Sequence, residues 1–393
     1  MKEVLIVFPG IHLDVDEGAK HRLNCHINEY SKRGNRVTVL AFCRSGMFRK
    51  DRNKYINSNA RWILAPYILP ISKNIVLSKI LEFYLGVILM IVTWLKKYDI
   101  VQMEIQNIKN SFCRKTLYIT DVHGDALYEE IEPKGKSFDY WFAKYLRYLQ
   151  KNIILNSDHC IVVSENLKQQ LEENTKLKIK SHSIISCAVD YERFSKAEKQ
   201  ILPIDLSNRI VLGYSGGLQA WQNFDKMIEV VIELRRNNPA FFFLIYTNNP
   251  ITPYNKKLKE LGEANYYVKS LPSSEVPGYL KMFDAGFLLR ENQVLNRVSS
   301  PTKICEYLAA GVPMICTQYS GDYKRSIKDT KTGFVVKDVV FNRDEIEELS
   351  NWLINVKNNR DSYYKDCQEA ASHRTFTEEF EVFYRQIEKL RVS

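Results

Sequence analysis

The sequence predicts two doubly wound α/β domains in tandem, each a parallel sheet with crossover helices. Three observations lead there. The chain has 393 residues, above the roughly 250–300 at which a single core stops growing. Short β-branched runs alternate with amphipathic helical stretches, as βα units do. That rhythm stops near residue 190 and starts again near residue 210.

In the first half, strands are expected at VLIVF from Val4, RVTVLAF from Arg36, DIVQM from Asp99, LYITD from Leu117 and HCIVVS from His159. Turn residues bound each of them. The apolar stretch Ile75 to Leu95 is long, but Lys79 and Glu82 fall inside it, so it reads as a buried or surface-docking helix rather than a spanning one. The segment from Ala188 to Asn208 is polar, has no apolar period and contains a proline; the linker is placed there. Strands then resume at IVLGYSG from Ile210, FFFLIY from Phe241, NYYV from Asn265, AGFLLR from Ala285, PMICT from Pro313 and GFVV from Gly333. Two amphipathic helices close the chain, about Asp344 to Lys357 and Phe376 to Leu390, the second rich in aromatic residues that need a surface to cover. The domains therefore read as 1–190 and 208–372, joined by a linker at 191–207, with residues 373–393 as a helix able to cross back to the first domain.

The formal charge is +10, of which +9 lies in residues 1–200. A basic first half suits an anionic membrane surface or a phosphate-bearing substrate. Nucleic acid is not expected, because no helix-turn-helix, zinc or RNP pattern accompanies the charge. The eight cysteines form no C-x-x-C pair, so they read as buried thiols of a cytoplasmic protein rather than as metal ligands. The start, MKEVLIVFPG, reads as a first buried strand and not as a signal peptide.

In open α/β sheets ligands bind beyond the carboxyl ends of the strands, which in a two-domain chain means the cleft between the sheets. The most informative stretch of that kind is SSPTKICEYLAAGVPMI, Ser299 to Ile315. Ser300 is suited to an N-cap and Pro301 to the first helical position, leaving the N–H groups of Thr302 and Lys303 free for an anion. Lys303 adds a point charge for phosphate. Glu306, three residues on and on the same face, can accept hydrogen bonds from ribose hydroxyls. A nucleoside diphosphate would satisfy both residues; a capped helix with a surface Lys–Glu pair is the alternative.

This segment resembles the donor-binding segment of retaining GT-B glycosyltransferases, in particular family 4, with its glutamate helix followed by A-x-G-x-P and a strand. EGAKHRLNCHINEYSKRGNRVTVL is similar to the family's first helix and second strand, IVVSENLKQQL to its end-of-domain strand and helix, and IISCAVDYERF to its crossover. The resemblance implies the GT-B fold, two Rossmann-like domains facing a cleft, the first taking the acceptor and the second a nucleotide sugar. It implies that Glu306 binds the donor ribose, that Thr302 and Lys303 hold the diphosphate, and that Gly216 and Gly217 belong to the nucleotide site. His123, in TDVHGD, matches the histidine that lines the donor sugar, with Asp125 beside it. Gly10 and Gly18 match the loop that admits donor and acceptor.

Two departures stand out. The family usually carries a second glutamate eight positions before the ribose-binding one, where this chain has Val298. Its diphosphate-binding Arg and Lys are absent from YSGGLQAWQN, Tyr214 to Asn223. Arg290, at a strand end, is the expected substitute for the β-phosphate, and Glu291, Asn292 and Asn296 are candidates for sugar hydroxyls. Trp221 and Gln222 are candidates for shaping the pocket. No D-x-D motif ends a strand, so no metal or other cofactor is expected; the nucleotide sugar is a substrate and the acceptor a glycan or lipid-linked hydroxyl. The expected activity is a retaining hexosyl transfer in capsule or exopolysaccharide synthesis, at the inner face of the cell membrane. A sugar-nucleotide epimerase of the same architecture and a non-catalytic partner of another transferase remain open.

Overall fold

A computed structural model of the chain describes residues 1–8, 18–43, 56–67, 74–104, 116–187, 189–327 and 329–392. The chain divides into two compact units, Met1–Ser186 with Phe376–Ser393, and Cys187–Thr375.

The first unit runs β1 (Glu3–Phe8), α1 (Gly18–Lys32), β2 (Arg36–Cys43), β3 (Ala60–Pro66), α2 (Ile75–Leu95), β4 (Ile100–Glu104), β5 (Leu117–Val122), α3 (Ala126–Ile131), α4 (Tyr140–Asn156), β6 (His159–Val162), α5 (Glu165–Thr175) and β7 (His182–Ile184). Its seven strands are ordered β3-β2-β1-β4-β5-β6-β7, and every pairing is parallel. Val4, Leu5 and Ile6 are wholly buried, so both faces of β1 are covered and its sequence is a continuous apolar run rather than an alternation. β3 and β7 were not expected from the sequence. Both are edge strands whose side chains are mostly only partly buried, and β7 is three residues long, so the apolar signal is weakest there.

The second unit contains α6 (Tyr191–Ser195), β8 (Ile210–Ser215), α7 (Phe224–Asn237), β9 (Phe241–Tyr246), α8 (Asn255–Leu261), β10 (Tyr266–Lys269), α9 (Val276–Leu280), β11 (Ala285–Leu288), α10 (Val294–Val298), α11 (Thr302–Ala309), β12 (Met314–Thr317), β13 (Gly333–Val336), α12 (Arg343–Asn358) and α13 (Arg360–Ser372). Its strands follow the order β10-β9-β8-β11-β12-β13, again all parallel. Residues 191–207, expected as a linker, belong to this unit: Phe194 and Leu202 are buried in one core layer with Leu280, Tyr307 and Leu308. Their apolar side chains are too sparse for a period, yet each finds a core position.

The last helix, α14 (Phe376–Val392), is part of the first unit. Phe376, Phe380, Phe383 and Ile387 are buried at the i, i+4, i+7 and i+11 spacing of one helix face. Phe380 meets Tyr30 edge-on, ring centres 4.9 Å apart, so the aromatic stripe covers α1.

Both strand orders reverse direction once, between β1 and β4 and between β8 and β11. Loops leaving the carboxyl ends of the strands diverge there, which opens a crevice in each sheet.

Candidate functional site

In the second unit the crevice residues form one cationic cluster. β8 ends at Ser215, whose N–H donates to the Tyr307 hydroxyl at 2.9 Å, and Gly216 follows with φ +140°. β11 leads to Arg290, whose backbone is clamped by Thr317: its N–H donates to Oγ1 at 3.0 Å and its carbonyl accepts from the same hydroxyl at 2.7 Å. The Arg290 guanidinium is buried and donates to the Trp221 carbonyl at 2.7 Å. Burial pulls its pKa down to about 10. Lys303, in the first turn of α11, lies over the Tyr214 ring at 5.5 Å. Burial, and then the neighbouring Arg290 cation, lower its amine to about 8, with Glu306 opposing them. Among the described residues neither Arg290 nor Lys303 forms an ion pair.

The N–H groups of Thr302 and Lys303 meet no acceptor among the described residues. Ser300 is not the cap: Pro301 takes that position and no side chain caps the helix. The Ser300 hydroxyl is held instead by the Cys187 N–H at 3.2 Å and Arg374 Nη2 at 3.0 Å, because the buried Arg374–Asp322 pair claims it. The helix start is thus bare and beside two cations, an arrangement that attracts an anion. Glu306 is half-buried; burial raises its carboxyl above the ordinary range against the pull of Lys303 and Arg193. Gly216 also lines a cavity of about 230 Å³ with Ser215, Gly217, Thr247, Asn248, Leu271 and Val276, so the cations adjoin a half-apolar pocket.

The other expected residues of this unit lie apart from that cluster's open groups. Asn296 is buried and donates to the Glu291 carbonyl at 3.0 Å, and the Asn292 side chain accepts from Arg297. Glu291 itself is exposed. These polar side chains shape the loop and α10. Trp221 is 53% exposed, so its ring is no core element and its carbonyl is the contact to Arg290. Gln222 is buried. Val298 is buried too, where a glutamate was looked for.

In the first unit His123 follows β5. Its Nε2 lies 2.9 Å from Glu104 Oε2 and 3.0 Å from Asp121 Oδ2. Burial alone would lower this imidazole, but the two carboxylates hold it up at about 9. Asp121 also receives Arg22 through two hydrogen bonds of 2.8 Å and His26 Nε2 lies 2.9 Å away. Burial opposes its ionisation, yet Arg22 and His123 keep the carboxyl well below the usual carboxylate range. His26, Glu104 and Asp121 place their ligand atoms within 4.8 Å of one another, but the guanidinium already supplies the positive charge a metal ion would bring. The cluster is a charged frame that fixes one imidazolium.

Asp125 is engaged elsewhere. It caps α3 through the N–H of Leu127 at 3.1 Å and accepts from Gln150 and Asn174 at 2.6 and 2.8 Å. Its role is to tie α3, α4 and α5 together, which leaves little of the carboxylate for a sugar. Gly18 opens α1 in an exposed position, and Gly10 lies outside the described residues.

Sequence reasoning missed Arg22, His26, Glu104, Tyr214, Tyr307 and Thr317. One signal was available: Arg22 and His26 stand four apart on the face of α1 that also carries Leu23, Ile27 and Tyr30, where a charged residue demands a partner.

Residues 18–193 match the description "Glycosyltransferase Family 4" and residues 194–374 match "Glycosyl transferases group 1". The putative teichuronic acid biosynthesis glycosyltransferase TuaH of Bacillus subtilis (strain 168) is 26% identical over 179 residues, 44% of this chain and 44% of that relative's length. Among solved structures, Anabaena HepE in complex with UDP superposes with a TM-score of 0.67 at 14% identity, covering 99% of this chain and 100% of that one. HepE is also known with UDP and glucose and with UDP-glucose. Sucrose-phosphate synthase from Thermosynechococcus elongatus gives 0.70 at 11% identity, covering 99% and 100%. With two parallel doubly wound units that match the family over residues 18–374, the chain belongs to the group 1, family 4 glycosyltransferases and has their GT-B fold.

Proposed function

We propose that this protein is a retaining hexosyltransferase that moves a sugar from a nucleoside diphosphate to a hydroxyl of a glycan or lipid-linked acceptor. Its setting in this reading is cell-surface polysaccharide synthesis, in the cytoplasm at the inner face of the membrane. The observation that carries the reading is the pair of cations without ion-pair partners among the described residues, Arg290 and Lys303, beside the bare start of α11. A diphosphate supplies the missing negative charge. The adjoining cavity of about 230 Å³ suits the base, and Glu306 the ribose hydroxyls. UDP and UDP-glucose in HepE make uracil the first base to test, and the teichuronic acid assignment of TuaH supports a polysaccharide acceptor.

In this reading the departing diphosphate itself takes the acceptor's proton on the face where it leaves. Arg290, Lys303 and the α11 N–H groups stabilise the charge that develops on it, and no metal is assigned that role. His123, held as an imidazolium, contacts the sugar being transferred.

The test is calorimetric and thermal-shift titration with UDP, GDP, ADP, CMP and their common sugars, repeated with Glu306→Ala. Stabilisation by one nucleoside diphosphate, lost in the variant, supports the site; no binding at millimolar concentration overturns it. The anomeric configuration of the first-formed product, read by NMR, decides retention. Val298 favours a second reading, a non-catalytic partner subunit, which nucleotide binding without turnover on any acceptor would select.

A further inference from the structure

The outward face of α2 is apolar where a soluble helix is polar. Val76, Ile80, Phe83, Met90, Ile91 and Trp94 recur at the spacing of a single helical stripe, and Val76, Phe83 and Trp94 are 65, 75 and 82% exposed. The opposite face is already used: Leu89 and Val92 pack on Leu5, Leu40, Val101 and Met103 of the sheet. By length and composition α2 could cross a membrane, but a helix bonded to its sheet along one face can only lie flat. A helix apolar all round is ordinarily buried, so this one lacks a cover among the described residues.

The neighbouring helix says what kind of cover. α4 turns outward a stripe of Tyr140, Trp141, Lys144, Arg147, Tyr148 and Lys151, and has no acidic residue. The two faces are continuous: Lys79 of α2 lies 6.0 Å from the Tyr148 ring. The one carboxylate of α2, Glu82, is turned inward, 3.4 Å from the Tyr145 hydroxyl. An apolar ridge flanked by aromatic rings and cations, with one exposed acid, Asp139, at its edge where it caps α4 through the Phe142 N–H, complements an anionic bilayer: the ridge enters the acyl boundary, the rings sit at headgroup level and the cations meet lipid phosphates. A second copy would set the α4 cations against each other.

We propose that the outward faces of α2 and α4 form a docking platform on which the first unit lies against an anionic phospholipid bilayer, α2 parallel to its surface. The platform deepens the reading of an acceptor at the membrane, but it is read by lipid binding, while the nucleotide site is read by titration of the second unit; either can fail alone.

The test is co-sedimentation of the full chain with vesicles of 30% phosphatidylglycerol in phosphatidylcholine and with pure phosphatidylcholine. Binding to the anionic vesicles is expected, weakening as salt is raised. The double substitution Phe83→Ser, Trp94→Ser is expected to reduce it at least tenfold with melting temperature and nucleotide affinity unchanged. Lys144→Glu, Arg147→Glu, Lys151→Glu, on exposed positions of another helix, should do the same and keeps the test decisive if the first variant misfolds. Undiminished binding by both variants, or no binding to anionic vesicles, overturns the proposal. So does a dimer in sedimentation velocity that the Phe83 and Trp94 substitutions abolish, because a second copy would then be the cover.

Discussion

The Lys303 side chain fills the space into which a side chain at residue 216 would project: a Cβ built on Gly216 falls 2.7 Å from both Cε and Nζ. The lysine tip can move, but only by leaving its place over Tyr214. The backbone there has φ +140°, which costs a residue with a side chain on the order of 1–3 kcal/mol. Gly216→Ala is therefore expected to weaken nucleoside diphosphate binding about tenfold or more, through a displaced amine, while the second unit stays folded. Isothermal titration beside a melting curve separates the two effects; unchanged affinity would remove Lys303 from the phosphate site.

Nucleotide affinity should fall as pH rises through about 8. Burial and the Arg290 charge bring the Lys303 amine to about 8 in the free protein, and a bound diphosphate restores its preference for the charged form. Binding above that pH then takes up a proton, so affinity drops by up to about tenfold per pH unit. Lys303→Arg keeps the charge at all these pH values and should flatten the profile. Titrations in buffers of different ionisation enthalpy count the proton directly.

What the sequence disclosed and what it withheld divide along physical lines. The buried central strands were legible because covering both faces of a parallel sheet requires uninterrupted apolar runs such as FFFLIY. The edge strand His182–Ile184 was not, since three residues with one buried side chain carry no period. Lys303 and Glu306 were legible because the helix between Pro301 and Gly311 fixes their spacing. The frame around His123 was not: Arg22, Glu104 and Asp121 come from three elements, and only the strand order brings them together. Asn296 failed as a candidate because polarity alone does not tell a side chain that bonds its own loop from one that faces a ligand.

The first unit should lose stability between about pH 6.5 and 9. His123 has an ordinary value of 6.5 and is held at about 9 by Asp121 and Glu104 against the effect of burial. Over that window the native state keeps a proton that the unfolded chain has released, so unfolding free energy falls as pH rises. The contribution is fully present below about 6.5 and lost above about 9. Glu104→Gln removes one of the two anions, lowers the His123 pKa and should move this alkaline decline to lower pH. Urea unfolding of both proteins across the range checks it, and the comparison cancels other groups, Lys303 included. Parallel profiles would mean that Glu104 does not hold the proton on His123.

Phe380 lies at the centre of the seam between α14 and α1. It is wholly buried, with Tyr30 at 4.9 Å, Phe383 at 5.1 Å and His26 at 5.7 Å between ring centres, and the Arg33 guanidinium 4.9 Å over its face. Truncation leaves a cavity in a layer that cannot collapse, because Phe376 and Phe383 are fixed on the same helix, so Phe380→Ala should cost about 3–5 kcal/mol. The loss belongs to the first unit although the residue is thirteen positions from the end of the sequence. Calorimetry is expected to show the first unit's transition falling while the transition that UDP raises stays in place, with nucleotide affinity unaltered. If both transitions fall together, the two units unfold as one cooperative body and α14 stabilises the whole chain.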